Sequence, residues 1–406
     1  MLQYFKDEEE SWKEIKERYK KKLQGLMAEE GFDALLLTRP ESIRYATGVT
    51  SAFMYLNIPI GNVIGIVPRF GNAAVVMSEF EGNAAKIDSP EIDILGYPIF
   101  VYIADFDAEG RIKDSQPNTD KAFHMAAEFI KDKIGNVKKI GIERPMFPYD
   151  RMLFLQDQFG SDVPQDCTQL LKEATKFKTA WEIEVLRKNA QGSQRAMSYV
   201  AKHTEIGMDE QDILLLMNQG LVNEGKGFCS TRQCNVVGEQ FSPIYLPHTC
   251  YKLKEGDTVR LDGGINSNAY SSDISRTYFV GKKISDERLK IWHILHNTFE
   301  KVFTMLGPGV RFCDIFKAAE ENVKTVIPEY HRGHFGHSVG CYVWWEEHPT
   351  ISRHDTSCLE PGMVMNLEIP YYSSYNNSYN FEDTFLVTEN GIDRFTRHSD
   401  DIYWRD

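Results

Sequence analysis

At 406 residues the chain is too long for one ordinary domain and suits two, and 42% hydrophobic with 12% aromatic residues provides ample core material. A net charge of −13 argues against a nucleic-acid partner, because phosphate binding needs clustered Lys and Arg. Seven scattered cysteines without a CxxC pair exclude a disulfide framework and read as reduced thiols. Cys229 and Cys234 could form at most half a zinc site, and small buried side chains are the simpler reading.

The N-terminus MLQYFKDEEESWKEIKERYKKK is too charged to be the apolar core of a signal peptide. No run approaches the roughly 18 apolar residues of a membrane span. A soluble, cytoplasmic protein with no membrane partner is therefore expected. From residue 7 to 30, acids and bases surround Trp12, Ile15, Tyr19, Leu23 and Met27 at near i, i+4 spacing, which predicts an amphipathic surface helix ended by Gly31. ALLL at 34–37 reads as a buried strand. NVIGIVP, NAAVVMS, IDILGYPIFVYIA and KKIGIE then alternate with helical stretches such as KAFHMAAEFIKDKI, which is an α/β pattern. The pattern fades after Asp150, and a long helix opens near Thr179. The expected division is an α/β domain over residues 1–165 and a second, α+β domain over 166–406.

The second domain reads as two similar halves. Each opens with a long helix, 179–203 and 285–306. Each continues with Gly, four residues, Asp and Ile: Gly207 to Asp212 and Ile213, then Gly309 to Asp314 and Ile315. Each closes with the same phrase, EGDTVRLD ending at Asp262 and PGMVMNLE ending at Glu368, with the acid six residues after Gly256 or Gly362. A polar turn then leads to a second acid opening an apolar run, Asp273 in SSDISRTYFV and Glu382 in NFEDTFLV. Two hairpins related by a pseudo-twofold axis would bring the four carboxylates together. Such stacking is unfavourable unless a cation neutralises it or a proton is held, so a metal site is the leading reading. A hard-oxygen site gains selectivity for transition ions from an imidazole. GHFGHSVG at 333–340 offers His337 as that ligand, with His334 as a neighbour.

Asp262, Asp273, His337, Glu368 and Glu382, in this order and context, resemble the five-ligand metal site of the pita-bread metallopeptidases, among them methionine aminopeptidase, aminopeptidase P, prolidase and the metal-free creatinase. RPESIRYATGV at 39–49 is similar to a phrase in the N-terminal domain of the creatinase and prolidase branch, and KTAWEIEVLRKNA at 178–190 to the helix that opens the pita-bread domain. The resemblance implies two divalent ions (Mn, Co, Fe or Zn) bridged by Asp273 and Glu382. Asp262 would complete one shell, and His337 with Glu368 the other. Paired ions lower the pKa of a shared water and polarise a scissile carbonyl; Glu368 could accept the water's proton. His248, in YLPHTCYKL, matches a histidine that faces substrate in the family. A homodimer is also implied.

Two positions depart from the peptidase pattern. Trp344 stands where a second histidine is usual, with His348 as the candidate replacement, and Asn380 stands where aminopeptidase P tends to carry Arg. The resemblance implies an Xaa-Pro dipeptidase or aminopeptidase acting on small peptides. The alternative is a creatinase-like or ectoine-hydrolase-like C–N hydrolase, or a dimethylsulfoniopropionate-type lyase, acting on a small zwitterion. Trp344, Trp345, Tyr371, Tyr372, Tyr375 and Tyr379 would favour the alternative if they formed an aromatic cage for a cation.

Overall fold

Apolar runs and amphipathic helices assemble into two units, residues 5–175 and 176–406. The computed structural model describes residues 12–55, 60–98, 118–224, 228–233, 235–238, 251–342, 347–373 and 375–404. In the first unit the order is α1 (Trp12–Glu30), β1 (Ala34–Leu37), α2 (Pro40–Thr47), β2 (Ile64–Pro68), β3 (Ala74–Ser78), α3 (Glu79–Asp88), β4 (Asp93–Tyr97), α4 (Thr119–Ile134), β5 (Ile140–Ile142), α5 (Tyr149–Phe159), β6 (Pro164–Asp166) and α6 (Thr168–Lys176). The strands form one sheet in the order β4-β3-β2-β1-β5-β6. β1 runs antiparallel to β2 and parallel to β5. Every residue of β1, β2 and β3 is buried, as continuous apolar runs require. The expected stripe of α1 is also buried at Ile15, Tyr19, Leu23 and Met27, and Tyr19 stacks on Tyr45 at 4.5 Å.

The α/β alternation does not stop at Asp150. α5, β6 and α6 continue it, with β6 parallel to β5 at the sheet's edge. Its three residues, PQD, begin with a proline and leave two exposed, so no apolar alternation marks the strand.

The second unit contains α7 (Ala180–His203), α8 (Glu210–Asn223), β7 (Phe228–Gln233), β8 (Val236–Val237), β9 (Thr258–Ser267), β10 (Tyr270–Ser271) and β11 (Ile274–Phe279). There follow α9 (Asp286–Phe303), α10 (Phe312–Lys324), β12 (His334–Ser338), β13 (Glu347–Ser352), β14 (Val364–Glu368), β15 (Tyr371–Tyr372), β16 (Ser378–Tyr379), β17 (Glu382–Thr388) and β18 (Gly391–Arg394). α7 opens with a capping box in which Thr179 and Glu182 satisfy each other's backbone N–H groups. The large sheet runs β10-β9-β11-β17-β14-β12-β13. The two halves thus meet at β11 and β17, the second strands of the two acid-bearing hairpins, as duplicated halves about a pseudo-twofold axis would. The α+β expectation holds. α9 and α10 cover the second half with an aromatic core that includes Trp292, Phe299, Phe316, Phe335 and Phe385.

Candidate metal centre

Gly256 and Gly362 have φ of +81° and +91°, a left-handed conformation that favours glycine, and each turns the chain into a strand two residues later. From there the register fixes the acids. Asp262 lies opposite Ser275, Ser275 opposite Glu382, and Glu382 opposite Glu368, a single row across β9, β11, β17 and β14. Directly opposed residues project from the same face of a sheet. Asp273, two residues before Ser275, falls on that face as well. β12 pairs with β14 through Ser338 and Met365, so His337 comes beside Asn366 on the acid face. The close approach needs Gly336: a Cβ there would lie 2.0 Å from the Asn366 carbonyl oxygen.

The result is a buried cluster. Ligand atoms of Asp273, His337 and Glu382 all lie within 4.8 Å of one another. His337 Nε2 is 3.9 Å from Asp273 Oδ2 and 3.9 Å from Glu382 Oε1. Its Nδ1 lies 2.9 Å from the Ser338 carbonyl, which assigns the proton to Nδ1 and leaves the Nε2 lone pair facing the acids. Burial, and then the charges of Asp273, Asp262 and Glu368, push the Glu382 carboxyl well above the usual carboxylate range. Three acids therefore act on Glu382. A divalent cation would relieve this repulsion while using the free Nε2, so the residues fit a metal.

Neutral donors hold the cluster in place. Asn366 Nδ2 donates to Glu382 Oε1 at 2.7 Å and to the Asp273 carbonyl at 2.9 Å, while its Oδ1 accepts from Thr384 at 2.7 Å. Asn380, at the position expected to distinguish this chain, donates to Glu382 Oε2 at 3.4 Å. Glu368 is buried with Arg332 Nη2 3.2 Å from Oε2 and His334 Nδ1 3.1 Å from Oε1, so His334 is indeed a neighbour. On the opposite face, Arg276 and Asp383 are fully buried 2.7 Å apart, and Arg276 Nη1 also donates to the Glu382 carbonyl at 2.8 Å. Burial raises the Asp383 pKa, but Arg276 and Arg394 outweigh it and hold the carboxyl below its usual range.

Asn366 could have been found from its place two residues before Glu368; Arg332, Arg276 and Asp383 carry no local signal. Arg260 and Arg332 lie over the Tyr372 ring at 4.8 and 5.7 Å. Of the other tyrosines, Tyr375 is 83% exposed and Tyr379 is buried in the core, so these two do not share one cage. His348 is exposed on β13. His248, Trp344 and Trp345 lie outside the described residues.

A sequence profile of metallopeptidase family M24 matches residues 184–389, and one of the creatinase/prolidase N-terminal domain matches residues 20–174. The chain belongs to metallopeptidase family M24. It is a hydrolase of a family that implies divalent metal ions, consistent with the cluster at Asp273, His337 and Glu382. Among M24 relatives, the Xaa-Pro dipeptidase of Pyrococcus furiosus is 25% identical over 389 residues, covering 94% of this chain and 98% of the relative. The solved structure of an Xaa-Pro dipeptidase from Bacillus anthracis has the same fold, with a TM-score of 0.78 at 19% identity over 95% of this chain and 98% of that one. The prolidase from Thermococcus sibiricus gives 0.79 at 20% identity over 95% and 97%. Among the described residues, no helix is long and apolar enough to cross a membrane.

Proposed function

We propose that this M24 hydrolase is an Xaa-Pro dipeptidase holding two divalent ions. The observation that carries the reading is the buried convergence of Asp273, His337 and Glu382, with Asp262 and Glu368 acting on Glu382 from the same row. In this reading Asp273 and Glu382 would be shared by the ions, Asp262 would complete the set for one, and His337 with Glu368 the set for the other. When bound, the ions supply Lewis-acid polarisation of the scissile carbonyl and a lowered pKa for the attacking water. Glu368 would take up the proton of the attacking water, and His248 and His348 would contact the substrate. Asn366 and Asn380 hold Glu382 in the orientation that ligation needs.

The Xaa-Pro dipeptidases among the relatives support the Xaa-Pro bond as the target. Arg260 and Arg332, gathered at Tyr372 beside Glu368, support a substrate with a free carboxylate, which a guanidinium binds in bidentate fashion. The reading further includes manganese, cobalt, iron or zinc as the metal and a homodimer in the cytoplasm. A panel of Xaa-Pro dipeptides, Pro-containing tripeptides, creatine and sulfonium or betaine compounds, assayed with metal-loaded protein, tests it. Hydrolysis of Xaa-Pro dipeptides is expected; no turnover of any Xaa-Pro substrate would overturn it.

A further inference from the structure

On the face of the large sheet opposite the acids, α7 and the segment after β18 line an open groove of about 390 Å³. Gln191, Gln194 and Arg195 line it from α7; Arg394, Phe395 and Arg397 line it from the other side. Three arginines and no acidic residue therefore line one concavity, in a chain whose net charge is −13. A local field of this sign opposes the protein's overall charge and attracts anions.

The three arginines are not equivalent. Arg394 is committed: its Nη1 and Nη2 each lie 2.8 Å from a Glu300 oxygen, and its Nε donates to Asp383 at 2.9 Å. Arg195 uses only Nε, donating to the Glu224 carbonyl at 3.1 Å. Arg397 is anchored through its backbone N–H, which donates to Gln194 Oε1 at 3.1 Å. Among the described residues, neither Arg195 nor Arg397 has a carboxylate within ion-pair distance. Gln191 and Arg195, four residues apart on α7, present neighbouring donors on one helix face. Phe395 is buried beneath them with the Arg187 guanidinium 4.0 Å from its ring centroid, which gives the groove a fixed floor.

We propose that this groove is a binding site for a small oxyanion, a phosphate or carboxylate group held between the guanidiniums of Arg195 and Arg397 with the Gln191 amide as a neutral donor. Paired guanidiniums present parallel N–H donors to two oxygens of such a group. The site lies on the face opposite the metal ligands and does not rest on the peptidase reading.

Calorimetric titration of the metal-loaded, full-length protein at low ionic strength tests the proposal, with inorganic phosphate and succinate as separate probes. Saturable binding of at least one probe is expected. Preference for phosphate identifies a phosphoryl ligand, and preference for succinate a carboxylate. Arg195→Gln with Arg397→Gln should weaken that binding on the order of tenfold or more, and Arg397→Glu alone should abolish it. Arg311→Gln, an exposed arginine paired with Asp314 elsewhere in the unit, should leave it unchanged. Both altered side chains in the groove are exposed, so the variants should melt as wild type does. Failure of both probes to bind, or binding that persists in the double variant, as it would for phosphate held at the metal centre, overturns the proposal.

Discussion

In the N-terminal sheet the central strands read ALLL, IGIVP and AVVMS, and every residue is buried. In the C-terminal sheet β14 reads VMNLE and β17 EDTFLVT, buried almost as fully, yet Glu368 and Glu382 stand directly opposed on one face and Asp383 meets Arg276 on the other. Apolar burial stabilises the first sheet at about 25 cal/mol per Å² of surface removed from water. The same burial opposes folding of the second, because each buried carboxylate loses hydration. The N-terminal unit also buries carboxyls: Glu143 has a Ser42 hydroxyl 2.8 Å away and Arg39 at 3.8 Å, and Glu41 lies 3.6 Å from the same arginine. Burial pushes Glu143 up to about 7. Glu143 relieves its desolvation by keeping a proton; four acids that share one face of the large sheet are placed for a cation.

The largest effect should come from removing a carboxylate of that face. Glu382→Ala is expected to lower Xaa-Pro dipeptide hydrolysis to the background rate, measured at matched protein concentration, while the circular dichroism of the N-terminal sheet persists. Activity near wild type would detach the acid row from catalysis.

Next in size is the ion pair behind the row. Asp383→Ala leaves Arg276 buried and uncompensated, and should lower stability by about 3–5 kcal/mol in urea unfolding. A loss within experimental error would mean that the opposite face does not anchor β17. The matching substitution in the N-terminal sheet, Leu36→Ala, should destabilise by about 2–5 kcal/mol through its cavity and leave metal content unchanged.

A subtler contrast separates holding a ligand from being one. Asn366→Ala should weaken metal affinity by about 10–100-fold without abolishing it, since it removes the donor that orients Glu382. Metal titration with a competing chelator reads this directly, and unchanged affinity would remove Asn366 from the site.

The smallest effect concerns pH. A carboxyl raised from 4.5 to about 7 binds a proton more readily in the folded than in the unfolded chain. Its contribution is present below pH 4.5 and is lost as pH rises through 7, with a slope of at most about 1.4 kcal/mol per pH unit. Glu143→Gln should flatten that part of the stability profile; an unaltered slope would assign it to other groups.

Much of this was legible in the sequence because duplication repeats spacing. The glycines at 256 and 362 mark where each strand turns in, and period-two alternation carries both strands to their acids. The register across β11 and β17 was not legible, because it joins residues more than a hundred positions apart and depends on how the two halves meet. For the same reason the Arg276–Asp383 pair and the Arg332 contact with Glu368 had no local mark. β6 carries no strand signal because an edge strand of PQD buries too little to alternate. Tyrosines that neighbour the site in sequence divide in space between core packing, at Tyr379, and an exposed bend, at Tyr375, which no local pattern distinguishes.

The central claim is that the acid row and His337 hold divalent metal, and elemental analysis of extensively dialysed protein, wild type beside Asp273→Ala, tests it most directly. About two divalent ions per chain are expected in the wild type and well under half of that in the variant. Equal metal content in both proteins would contradict the account.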